Sequence, residues 1–217
     1  MTKFLSLKHW QLFGLLFGIP MVFQIITIGS VISNNDPTTF FYFFPIMMIL
    51  VVGLFFGWFY ALGTNLHKKL PPTVTMNLTR FKIFLLIPLV YIVFISISMA
   101  GLFSDISNGG QPNPAIFALI VPLHLFSMFC IFYCLYFNAK ALKTVESRKS
   151  VTFSDFSGEF FLIWFYPIGI WIIQPRINKL FERTNNDNSK IIDNNISSTI
   201  EKKSRTANTR YKQFGDL

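Results

Sequence analysis

Residues 40–62 read FFYFFPIMMILVVGLFFGWFYAL, twenty-three positions without a charge. At 1.5 Å per residue a helix of that length crosses a hydrocarbon core of about 30 Å. Three further stretches match it in length and character: Trp10 to Ile32, Ile83 to Phe103 and Ala115 to Phe137. They predict four transmembrane helices. The fold class expected is therefore all-α, a polytopic membrane protein whose spans form a kinked four-helix bundle.

The charges flanking these stretches set an orientation. The loops at 33–39 and 104–114 hold no Lys or Arg, only Asp36 and Asp105. All nineteen cations fall on the other side: Lys3 and Lys8, then Lys68, Lys69, Arg80 and Lys82, then Lys140, Lys143, Arg148 and Lys149, and nine more from Arg176 onward. The positive-inside rule makes both termini and both basic loops cytoplasmic, most simply at a plasma (inner) membrane.

Composition excludes a water-soluble domain. Hydrophobic residues make up 52% of the 217 and charged residues 13%, whereas about a quarter of residues are charged in a soluble protein. The net charge of +9 sits beside helix ends, which suits anionic lipid headgroups, and no nucleic acid is expected. The first apolar stretch is too long for a signal peptide and no A-x-A-like site follows it, so it is expected to be retained.

A fifth apolar stretch, Phe160 to Ile173, is only fourteen residues long. Spanning with it would carry Asp155 and Glu159 into the interface and place the cationic tail outside. The expectation is a re-entrant or interfacial element over 153–173, opened by a Thr152/Asp155 capping box and bent at Pro167 and Gly169. Trp164, Tyr166 and Trp171 would then lie at headgroup depth, and Glu159 would meet Arg176 as an interfacial latch. Residues 1–175 form the membrane domain. Residues 176–217 read as a basic, Asn-rich, disordered tail, with a partner-docking helix at 189–203 as the sharper alternative.

Each span carries one proline, Pro20, Pro45, Pro88 and Pro122, and each should bend its helix. A weak repeat relates Ile19-Pro20-Met21-Val22-Phe23 to Ile87-Pro88-Leu89-Val90-Tyr91, with Asn65 and Asn138 at the matching helix exits. Depth arithmetic puts Gln24, Ser96 and His124 about 3 to 5 Å to the outer side of the bilayer centre. They are expected to form a polar layer, as interhelical hydrogen bonds or as a ligand site. His124, Met128, Cys130 and Cys134 do not converge on one helix face, so neither a metal nor a cofactor is expected, and the cysteines read as buried thiols. Gly14-x-x-x-Gly18 and Gly53-x-x-x-Gly57 offer faces for a tight antiparallel pair, a homo-oligomer or a protein partner. No phosphate loop, nucleophile elbow or zinc-protease motif occurs. The leading expectation is a non-catalytic membrane component that binds or organises partner proteins. The alternative is a small-solute transporter or channel built on the polar layer.

Overall fold

The computed structural model describes residues 3–34, 38–111, 114–182 and 197. Two short helices, α1 (Lys3–Ser6) and α2 (His9–Phe13), lead through a wide turn at Gly14–Gly18 into α3 (Ile19–Asn34). The long helices α4 (Thr38–His67), α5 (Leu78–Ser107) and α6 (Pro114–Ser147) follow, then α7 (Phe153–Trp164) and α8 (166–182). Among the described residues, four helical segments are long and apolar enough to cross a membrane: His9–Ser33, Phe43–His67, Leu78–Met99 and Ala118–Ser147. The chain divides into two compact units, Met1–Ile177 and Asn178–Leu217, and all four segments lie in the first.

The core sits toward the basic end of the bundle. Trp58, Phe59, Leu62 and Leu66 of α4, Phe81 of α5, and Phe137 and Leu142 of α6 are fully buried there. Phe81 stacks on Phe137 with ring centroids 4.4 Å apart. Gly63 allows this close approach, since a Cβ at that position would run into the Phe81 ring, 2.6 Å from its Cε1 and nearer still to Cζ, and would lie 2.8 Å from Asn138 Oδ1. Lipid tails are as apolar as these side chains, so the gain where lipid surrounds the bundle comes from packing and hydrogen bonds rather than from exclusion of water. Asn138 Nδ2 donates across to the Phe59 carbonyl at 3.5 Å, while Asn65 bonds the Ala61 carbonyl of its own helix at 2.7 Å. The two asparagines matched by the sequence repeat thus do different work. His67 pins the basic loop, with its Nε2 2.9 Å from the Met76 carbonyl.

The prolines leave α4, α5 and α6 helical throughout. The first segment responds differently. Pro20 has no N–H for the Leu16 carbonyl, and the chain widens just before it into a π turn, with the Ile19 N–H reaching back to the Gly14 carbonyl. Such bulges accommodate a lost ladder bond by spreading it over an extra residue.

The fifth apolar stretch doubles back. Helix α7 ends at Phe165, which has φ −85° and ψ 54°, and α8 begins at once. The break comes before Pro167, not at Pro167 and Gly169 as the sequence suggests. A continuous helix would drive the proline ring into the Ile163 carbonyl, whereas a proline in the first turn of a new helix loses nothing. Gly169 closes the turn, because a Cβ there would fall within the Leu162 carbonyl. Helix α8 continues to residue 182, past the start of the tail expected from sequence. The alternative docking helix at 189–203 lies outside the described residues apart from Ser197.

Candidate functional site

Four charged side chains converge where α6, α7 and α8 meet. Helix α6 runs ten residues past Phe137 to Ser147, carrying Lys143 and Glu146 beyond the apolar stretch. It ends at Arg148, in the left-handed region at φ 54°, whose N–H returns to the Thr144 carbonyl at 2.8 Å. The chain re-enters at Thr152, whose N–H and hydroxyl both donate to Asp155 Oδ2 at 2.8 Å. This capping contact sets the phase of α7, which buries Phe156, Glu159 and Ile163 on one face. Glu159 is thereby drawn in, with its side chain only 7% exposed.

The other three groups surround it. Arg176 Nη2 donates to Glu159 Oε1 at 2.7 Å, and Lys143 Nζ donates to the same oxygen at 3.2 Å. Arg176 also forks onto Glu146, with Nε 2.8 Å from Oε1 and Nη2 against Oε2. Two cations face two carboxylates, so the cluster is neutral. Burial pushes the Glu159 carboxyl up, but the hydrogen bonds from Arg176 and Lys143 outweigh it and hold the group below the ordinary range. The Glu146 contact, set partly against burial and aided by Glu159, raises the Arg176 guanidinium further. Both neighbouring cations are thus engaged on this carboxylate and favour its charged form.

The cluster fastens a helical hairpin whose tip reaches toward the middle of the bundle. Trp164 stands edge-on to Phe132 of α6, with centroids 5.0 Å apart. Tyr166 lies 5.0 Å from Phe55 of α4 and 6.1 Å from Phe17. Phe132 precedes the basic end of its apolar stretch by five residues and Phe55 by seven, so the tip sits about 8 to 10 Å deeper than those ends. Trp164 and Tyr166, expected at headgroup depth, stand toward the middle of the bundle relative to those helix ends, because the turn at Phe165 is the tip of the hairpin and not its base. Trp171 does lie toward the base, against His9 and Phe13 at 4.9 and 5.6 Å.

Helix α8 also holds the amino terminus. Gln174 is fully buried, and its Nε2 faces the carbonyls of Phe4, Leu5 and Leu7 at 3.3, 3.3 and 3.1 Å. The last carbonyls of a helix have no partner within it, and this amide supplies one for α1.

The polar layer expected from depth does not assemble. The Ser96 hydroxyl donates to the Ile92 carbonyl of its own helix at 2.6 Å. His124 pairs instead with Tyr91, with the hydroxyl 3.1 Å from Nδ1. Gln24 lines a separate groove of about 410 Å³ with Phe17, Pro20, Met21, Met47 and Tyr166. Equal depth on different helices does not bring side chains together when they point in different directions around their axes. The glycine faces stand apart as well. Open space surrounds Gly14, Gly18 and Gly53, and Gly57 meets only the Phe4 ring, at 3.8 Å, so none draws two spans of this chain together. Gly63 does, although no small-xxx-small spacing marked it. Cys130 and Cys134 are buried free thiols, and no group of three potential metal ligands occurs among the described residues.

Of the charged cluster, Glu159 and Arg176 were legible because one-sided charge required the segment between them to fold back. Lys143 and Glu146 were missed. The available signal was an acidic residue, Glu146, amid the four cations that follow the fourth apolar stretch. No known protein family matches the chain, and no curated protein or solved structure is similar to it.

Proposed function

We propose that this protein is a non-catalytic, multi-pass membrane component that binds a partner protein through its first span. Both termini and the basic loops then face the cytoplasm at the plasma (inner) membrane. Lys68, Lys69, Arg80, Lys82, Lys140, Arg148 and Lys149 lie near anionic headgroups, each attracted by about 1 kcal/mol.

The observation that carries the reading is the contrast along the first span. Its basic end is tied down by Gln174. Beyond that tie only 11% of its central apolar window is buried by the rest of the chain, against 39% for the second span. Met21, Val22, Ile25 and Ile26 are each more than half exposed, and Gly14 and Gly18 leave room for another backbone. A helix fixed at one end and uncovered along its length presents a face to whatever lies beside it in the bilayer. Small residues on such a face permit close packing of a second helix.

A photoreactive amino acid at Met21 or Ile25, activated in native membranes, tests this. The reading expects a discrete protein adduct at these positions. Adducts to lipid alone would contradict it.

A further inference from the structure

Besides the buried Trp58 Nε1 and Ser127 Oγ, two polar side chains in the apolar part of the described residues that are not buried have unused hydrogen-bonding capacity. The first is His124. The Tyr91 ring is buried and its hydroxyl has His124 Nδ1 as its partner among the described residues. If Nδ1 carried the proton, the Tyr91 hydroxyl hydrogen would have no acceptor, so Tyr91 donates and Nδ1 accepts. A neutral imidazole then carries its proton on Nε2. His124 is exposed on α6 beside Val121, Leu125 and Phe126, which are also exposed. Its remaining donor therefore faces out of the bundle, where lipid offers no acceptor.

The second is Gln24. Its side chain has no hydrogen-bond partner among the described residues, it is partly exposed, and it opens onto the 410 Å³ groove beside Tyr166. Its amide supplies the oxygen that His124 lacks. The two also lie at one height. Tyr166 at the hairpin tip touches Phe17, and Trp164 at the same tip touches Phe132. Gln24 is seven residues beyond Phe17 and His124 eight beyond Phe132, both toward the cation-free end, so each stands about 10 to 12 Å above the tip.

We propose that a second copy of this chain docks here, with His124 Nε2 of one copy donating to the Gln24 side-chain oxygen of the other. Copies inserted in the same orientation are related by rotation about the bilayer normal, which keeps every residue at its own depth. The pairing needs that match of depth, and the first span is the least covered of the four. A His124-to-His124 contact would not serve, because both nitrogens offered would be donors. The proposal rests on the partner-binding reading and names the partner.

Two differently tagged copies, one with Gln24→Cys and one with His124→Cys, both in a Cys130→Ala and Cys134→Ala background, can be co-expressed and oxidised in the membrane. A disulfide-linked species bearing both tags is expected, with much less when Leu119→Cys replaces His124→Cys. In the chain with its native cysteines, His124→Phe should raise the dimer dissociation constant in mild detergent about three- to thirtyfold while the thermal transition stays cooperative. If both copies reach the membrane folded and no mixed species forms, the second-copy proposal is overturned. Protein adducts persisting at Met21 would then leave the partner-binding reading standing. Their loss as well would remove both.

Discussion

Gly169 of α8 backs directly onto the Leu162 carbonyl of α7, with no room for a Cβ between them. This contact lets the chain reverse within a few residues at Phe165. It brings Glu159 and Arg176, seventeen residues apart in sequence, within 2.7 Å. Gly169→Ala should force the helices apart at the tip and destabilise the protein by about 1 to 3 kcal/mol, as overpacking does. Thermal unfolding in detergent would register it. An unchanged transition would mean that the backbone approach is not required.

The charge cluster makes a second prediction. Arg176→Glu would set three carboxylates against Lys143 alone and loosen the hairpin. Adding Glu159→Lys should restore part of the loss, because two cations again face two carboxylates. The recovery should be about 1 kcal/mol or less, since Arg176 and Lys143 are each about a third exposed. Protease cutting between Ser147 and Thr152 reports it, faster in the single variant and slower again in the double. Equal rates in all three proteins would show that the cluster does not hold the hairpin.

Acidification should release the same element. The folded Glu159 carboxyl titrates below its ordinary value of 4.5. Its stabilisation is thus fully present above that value and is lost as pH falls through the lower, folded one. Cutting between Ser147 and Thr152 should rise below about pH 4.5, and Glu159→Gln should flatten that rise. A step near neutrality instead would point to a different titrating group.

Gly63 and Gly53 should respond oppositely to the same change. Gly63→Ala places a methyl against Phe81 and Asn138, with an expected cost of about 1 to 3 kcal/mol. Gly53→Ala meets open space and should leave stability unchanged or raise it by up to about 1 kcal/mol through helix propensity. Paired thermal melts decide the matter, and equal losses would contradict the packing described.

Gln174→Leu removes the amide from three carbonyls at once and should free the amino-terminal segment without unfolding the bundle. Hydrogen exchange at residues 4 to 8 should accelerate while the protected core of α4 does not. Retained protection at Leu5 would argue against the tie.

How much of this was legible in the sequence depended on the kind of signal. Four long apolar helices followed from length and the absence of charge, neither of which needs tertiary contacts. The doubling back of 153–173 followed from the cost of burying Asp155 and Glu159. Which residues meet was less accessible. Gln24, Ser96 and His124 share a depth, but depth leaves each helix free to rotate about its axis, and Tyr91 rather than Ser96 turned out to face His124. Gly53 had the favoured spacing, yet spacing marks which glycines can approach a neighbour, not which do. Glu146 and Lys143 were hidden among residues whose positive charge already had an explanation in orientation.

The topology proposed above has four segments crossing the membrane and the α7–α8 hairpin entering and leaving on the cytoplasmic side. Single cysteines at Asn35, Asn108 and Ser204, in a background lacking Cys130 and Cys134, can be exposed in intact cells to an impermeant thiol reagent. Labelling at Asn35 and Asn108, with Ser204 reacting only after permeabilisation, is the result predicted. Labelling of Ser204 in intact cells would make the hairpin a fifth crossing and contradict the account.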